Sequence, residues 1–197
     1  MATKKSAKKT TKKAAKKVTK KKATKKITVR AAAKKKAAPK KASVVMARVG
    51  QQVPDFTLSG TRGDVQLSSL RGKKVVLYFY PKDATPGCTI EGHDFSRLLP
   101  EFEAIGAEVF GISRDSLASH EKFRAKENYS VHLLSDPDES ACAKFDVMKM
   151  KNMYGKQVRG VERSTFVIDQ DGKLVREWRK VSVTGHAAEV LDFIKLL

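Results

Sequence analysis

Cys88 is one of only two cysteines in 197 residues, and it stands where a thiol could act as a nucleophile. It closes the turn Pro81-Lys-Asp-Ala-Thr85-Pro-Gly-Cys88, and no strong helix breaker follows it before Pro100 except Gly92. A helix starting at or near Cys88 is therefore expected. In the first turn of a helix the unpaired backbone N–H groups and the positive end of the helix dipole favour a thiolate over a thiol. The spacing PxxxTxxC also lets the Thr85 hydroxyl reach back toward the sulfur as a donor or acceptor. The ordinary alternative is a buried structural cysteine behind a core strand.

The elements that must hold this turn can be read on either side of it. Lys74 to Tyr80 (KVVLYFY) is short, continuous, and rich in β-branched and aromatic residues, as expected of a fully buried central strand. Phe56–Leu58 and Val65–Leu67 read as a hairpin ahead of it. Beyond Cys88, Phe95, Leu98, Leu99, Phe102 and Ile105 recur at helical spacing, with Pro100 predicting a kink or a break. Glu108–Ser113 is a predicted strand, Asp115 or Ser116 can cap a helix running to about Asn128, and Val131–Leu134 is a further strand. A short helical turn is expected over Ala141–Phe145. Ser164–Ile168 and Lys173–Trp178 are strands joined by the turn Asp169-Gln-Asp-Gly172, and His186–Leu196 is a closing amphipathic helix. Strand and helix alternate, so the class is α/β, with several topologies open to the pattern alone.

Pro81, Thr85 and Cys88, within YFYPKDATPGCT, resemble the active-site motif of the peroxiredoxins. The surrounding residues are most similar to the bacterioferritin comigratory protein, or peroxiredoxin Q, branch, and the similarity spans about Val49 to Leu197. This resemblance implies a thioredoxin-like fold with a central mixed sheet flanked by helices. It also implies a thiol-dependent peroxidase that reduces hydrogen peroxide and organic hydroperoxides through a Cys88 sulfenic acid. Arg163, which opens RSTFVID, is similar to the family's arginine that approaches the cysteine from a neighbouring strand. Its guanidinium would stabilise the thiolate and orient the peroxide. Thr85 and the backbone N–H groups near Gly87 and Cys88 would hold the peroxide oxygens, and Pro81 and Pro86 would shield the pocket.

Many members of this branch carry a second cysteine five residues after the first, and here that position is His93. Cys142 stands where some relatives carry an additional cysteine and is the candidate resolving residue. It is equally readable as core packing. Without it, an external thiol from thioredoxin, glutaredoxin or glutathione would attack the sulfenic acid directly. His120, His132 and His186 have no ligand-like spacing, and surface or capping roles are expected for them. No metal or cofactor is called for.

Charge divides the chain in two. Residues 1–49 hold 20 of the 41 Lys and Arg and none of the 21 Asp and Glu, which leaves 21 of each sign in the remaining 148 residues. The boundary predicted is a disordered basic tail over 1–48 and one peroxiredoxin domain over 49–197. The tail's Lys4, Lys5, Lys8, Lys9, Lys12, Lys13, Lys16, Lys17, Lys20, Lys21, Lys22, Lys25 and Lys26 recur about every four residues among Ala and Thr, similar to lysine-rich histone-like tails. Such a polycation would bind DNA by counterion release without reading sequence. A solvated tail, an anionic membrane surface, polyphosphate or a targeting role remain as alternatives, and Met46 could start a tail-less form.

Two cysteines 54 positions apart do not make a disulfide scaffold, and no apolar run reaches the roughly 20 residues of a membrane span. A cytoplasmic protein is expected, nucleoid-associated if the tail holds DNA, and monomeric with a dimer as the alternative. A reading from another class is a nucleic-acid-binding chromosomal protein whose thioredoxin-like domain is inactive or only senses peroxide.

Overall fold

The computed structural model describes residues 45–153 and 155–197, so residues 1–44, with all the lysines of the basic tail, lie outside the described residues. In chain order the elements are β1 (Thr57–Gly60), β2 (Val65–Gln66), a short 3-10 turn (Leu67–Leu70), β3 (Lys74–Phe79), α1 (Pro86–Ala104), β4 (Ala107–Ser113), α2 (Leu117–Glu127), β5 (His132–Ser135), α3 (Ser140–Lys144), β6 (Met148–Met153), β7 (Lys156–Val161), β8 (Ser164–Ile168), β9 (Leu174–Trp178) and α4 (His186–Lys195). Seven strands form one mixed sheet in the order β2-β1-β5-β4-β3-β8-β9, while β6 and β7 pair only with each other.

The apolar run ahead of Cys88 is the inner strand β3, buried from Val75 to Phe79. It is parallel to β4 on one side and antiparallel to β8 on the other. Because strand side chains alternate, β3 feeds two cores. Val75, Leu77 and Phe79 join Phe110, Phe145 and Phe166 on one face, and Val76, Tyr78 and Tyr80 join Phe95, Phe102 and Val190 on the other. Full burial of each such side chain contributes about 1.5–3 kcal/mol, so this single strand anchors the start of the Cys88 turn firmly.

Helix α1 begins two residues before the cysteine, with Thr85 as its extended N-cap residue and Pro86 at the first position, where a missing N–H is harmless. Pro100 does not break it. The proline cannot bond the Ser96 carbonyl, and the Ser130 hydroxyl takes that orphan acceptor at 3.0 Å. The predicted α2 is borne out, capped by Ser116 and ended by Asn128 in the left-handed region. So is the Asp169–Gly172 turn, with Gly172 at φ +77°. Toward the N-terminus the chain has already joined the domain at Ala47, which is buried and donates its N–H to the Lys144 carbonyl at 2.8 Å.

Three expectations need correction. Leu67 belongs to the 3-10 turn rather than to a strand, and β1 pairs with β5 as well as with β2. The β6–β7 hairpin was not foreseen. His120, His132 and His186 are not surface groups: His120 is fully enclosed, His186 is buried with Nε2 at 2.8 Å from the Thr165 hydroxyl, and His132 is half-buried and accepts the Arg62 N–H. Among the described residues no helix is long and apolar enough to cross a membrane.

Candidate active site

The site forms where β3 ends and β8 begins. Antiparallel pairing sets Phe79 opposite Ser164, so Arg163, one residue before β8, stands beside the turn that carries Cys88. The thiol is buried, at the third position of α1. Thr89 is the residue whose N–H bonds the Thr85 carbonyl, at 2.9 Å, which leaves the Gly87 and Cys88 amides without helical acceptors.

Arg163 Nη2 lies 3.2 Å from Cys88 Sγ, and Nη1 pairs with Glu91. A guanidinium with its five donors in a rigid fork can serve both partners at once. Burial works against its charge, but Glu91 and Cys88 outweigh that and hold Arg163 above its ordinary value. Gly87 eases the approach, since a Cβ there would sit 3.3 Å from Nη2, a tight contact that would push the guanidinium back by a few tenths of an ångström. Pro81 is half-buried at the mouth of the turn, whereas Pro86 is exposed and serves the helix start rather than the pocket wall. The Thr85 hydroxyl donates to the Lys82 carbonyl at 3.0 Å, so its hydrogen is committed to the turn and its lone pairs are left to accept.

Cys142 lies elsewhere. It is fully buried in the core on the other face of the sheet, its amide bonds Asp136, and burial first, then Asp136, push its thiol far up. His93 is exposed on α1, 3.3 Å from Glu127 and edge-on to Tyr129, and so ties α1 to α2 rather than entering the site.

The AhpC/TSA family matches residues 49–177. The chain belongs to that family. It is 54% identical over 142 residues to peroxiredoxin Bcp of Xanthomonas campestris, covering 72% of this chain and 89% of the relative. Against peroxiredoxin Bcp of Bacillus subtilis the identity is 47% over 148 residues, 75% of this chain and 94% of the other. A solved structure of the Xanthomonas campestris bacterioferritin comigratory protein, determined in work on its alkyl peroxide reduction activity, is 52% identical. Its TM-score is 0.69, over 72% of this chain and 90% of its own. The fold is accordingly the thioredoxin-like fold of the peroxiredoxins.

Two groups of this AhpC/TSA site escaped sequence reasoning. Glu91 has only 2% of its surface exposed, three residues past Cys88 on the same helix face, with Oε1 unpartnered. Burial pushes its carboxyl up to about 7, against the pull of Arg163. The i,i+3 spacing from Cys88 was the available signal. Asp83 and His120 form the second group, beneath the turn. A surface depression of about 580 Å³, lined by Arg62, Lys73, Leu99, Phe110 and His132 among others, shares no residue with this site.

Proposed function

We propose that Cys88 is the thiol through which this chain, a thiol-dependent peroxidase of the Bcp and peroxiredoxin Q kind, reduces hydroperoxides. The observation that carries the assignment is the Arg163 guanidinium set 3.2 Å from Sγ at the start of α1. The Cys88 thiolate attacks the terminal peroxide oxygen, forming an S–O bond as the O–O bond breaks. The departing alkoxide or hydroxide takes up a proton and leaves as alcohol or water, and the sulfur remains as sulfenic acid. Arg163 and the Gly87 and Cys88 amides are placed to hold the oxygen that gains negative charge, and Thr85 accepts from the peroxide.

Turnover runs through an external thiol. A thiol that has given up its proton attacks the Cys88 sulfenic sulfur, the S–O bond breaks, the hydroxide takes up that proton and leaves as water, and a second thiol releases Cys88 from the mixed disulfide. Thioredoxin, glutaredoxin and glutathione are the candidate reductants. Peroxide consumption with each reductant should require Cys88, and a Cys88→Ser protein that consumes peroxide at the wild-type rate overturns the assignment.

The tail is assigned to non-specific DNA binding, on the strength of its 20 basic and no acidic residues over 1–49. Full-length protein should retard a short duplex in a salt-sensitive way that a Met46-start form does not. Equal retardation by both forms would rule the tail out. No feature of the Cys88 site favours the alternative of an inactive, purely chromosomal domain.

A further inference from the structure

Beneath the Pro81–Thr85 turn lies a polar cluster that the peroxidase chemistry above does not use. Asp83 projects inward from the turn and is buried. Its carboxylate accepts from the Tyr80 hydroxyl at 2.8 Å, the Ser119 hydroxyl at 2.7 Å and His120 Nδ1 at 3.0 Å to each oxygen. The Asp83 N–H donates to Asp115 Oδ2 at 2.9 Å, and that carboxylate also holds the Ser113 hydroxyl. His120 Nε2 lies 3.2 Å from the Leu134 carbonyl, which can only accept. Nδ1 also lies 3.3 Å from the Tyr80 hydroxyl, so both ring nitrogens are engaged and the ring has no exposure. Burial alone would raise the Asp83 carboxyl, yet the donors outweigh it and keep it below the usual carboxylate range.

The turn that this pair fastens is strained. Ala84, the next residue, has φ +55°, a conformation that a non-glycine side chain keeps only where its surroundings over-determine it. Thr85 follows, then the first turn of α1 with Cys88. We propose that Asp83 and His120 are positioning residues for the Cys88 reaction: their buried hydrogen-bonded pair bolts the turn to α2 and β5, fixing Thr85 and the Gly87 and Cys88 amides against Arg163. The inference rests on Cys88 being the nucleophile. Loss of the pair lets Ala84 relax, and the oxygen-binding groups then drift from the sulfur while the sulfur keeps its place and its access.

That predicts a separation of two reactions of one thiol. Attack on peroxide needs the whole constellation, whereas alkylation by iodoacetamide needs only an accessible thiolate. Since about 1 Å of misplacement can cost on the order of a hundredfold, His120→Gln should slow single-turnover peroxide reduction by about 30- to 100-fold and leave alkylation within about threefold. Ser119→Ala, which removes one of three donors to Asp83, should slow peroxide reduction by about threefold with alkylation unchanged. Peroxide rates within about twofold of wild type, or peroxide and alkylation rates falling together, would overturn the proposal. If His120→Gln does not fold, the same ratio in Ser119→Ala decides. A Cys88→Ser control separates the two levels: retained peroxide consumption there refutes the nucleophile, and an unchanged ratio in the Cys88-containing variants refutes the positioning pair.

Discussion

Cys88 and Cys142 face opposite sides of one sheet. Cys88 packs with Val76, Tyr78 and Tyr80, and Cys142 with Val75, Leu77 and Phe79. A disulfide between them would require α1 or α3 to leave its seat, since bridged Cα atoms lie within about 7 Å. Cys142→Ala should therefore keep peroxide turnover with an external thiol, within about twofold because its thiol is too buried to react. Mass spectrometry of peroxide-treated wild type, without reductant, should find no intramolecular disulfide. A Cys88–Cys142 bridge forming at the turnover rate would contradict this arrangement.

Arg163 should not be replaceable by lysine. Its two terminal nitrogens serve Cys88 and Glu91 separately, and a single ammonium cannot span both. Arg163→Lys should lower the rate of Cys88 oxidation by about a hundredfold, and Arg163→Ala by up to about a thousandfold, the range seen when one group holding a developing oxyanion is lost. Rapid-mix peroxide kinetics on both variants would show it.

Glu91 should give the domain a pH dependence of unusual sign. Its unfolded carboxyl ionises near 4.5, whereas burial holds the folded one protonated to about 7. As the pH rises through that window the unfolded state loses its proton first, so stability falls, and the loss is complete above the folded value. A difference of that size corresponds to about 3 kcal/mol. Denaturant melts of wild type and Glu91→Gln at pH 4, 6 and 8 should show the wild type losing ground to the variant as pH rises. Parallel curves would remove Glu91 as the cause.

Gly92 is required by a neighbour rather than by its own backbone. A Cβ there would fall 2.6 Å from the Tyr129 ring, whose hydroxyl bonds the Thr89 carbonyl at 2.8 Å. Gly92→Ala should cost about 1–3 kcal/mol through overpacking, despite alanine's better helix propensity. A thermal melt that matched or exceeded the wild type would show that Tyr129 can give way.

Much of this was legible in the residues because it depends on local chemistry. The KVVLYFY run, the Ser116 cap and the Asp169–Gly172 turn each carry their own signal, while the Pro81, Thr85, Cys88 spacing, and the resemblance that singled out Arg163, pointed to the candidate site. What stayed hidden depends on partners distant in sequence. Asp83, Glu91 and His120 are residue types normally solvated, and only the packing of α1 and α2 on the sheet encloses them. The hairpin of β6 and β7 is mostly polar and touches the core only through Met148 and Val161, so the short alternation Met148-Lys149-Met150-Lys151 was a weak signal for it. Pro100 predicted a kink or a break because nothing local announces that Ser130, thirty residues on, will take the carbonyl it strands.

That adopted carbonyl decides where α1 can open. With Ser96 held by Ser130, the half of the helix beyond Gly92 is stapled to the α2–β5 connection, while the first turn has exposed neighbours such as Pro86 and Ile90. Opening of the helix is expected to begin in the turns on the Cys88 side of Gly92, where it has to release the Tyr129 bond to the Thr89 carbonyl. Amide hydrogen exchange should be fast over 87–91 and slow over 95–104, giving the reductant a small local door to the oxidised sulfur while the rest of the helix stays shut.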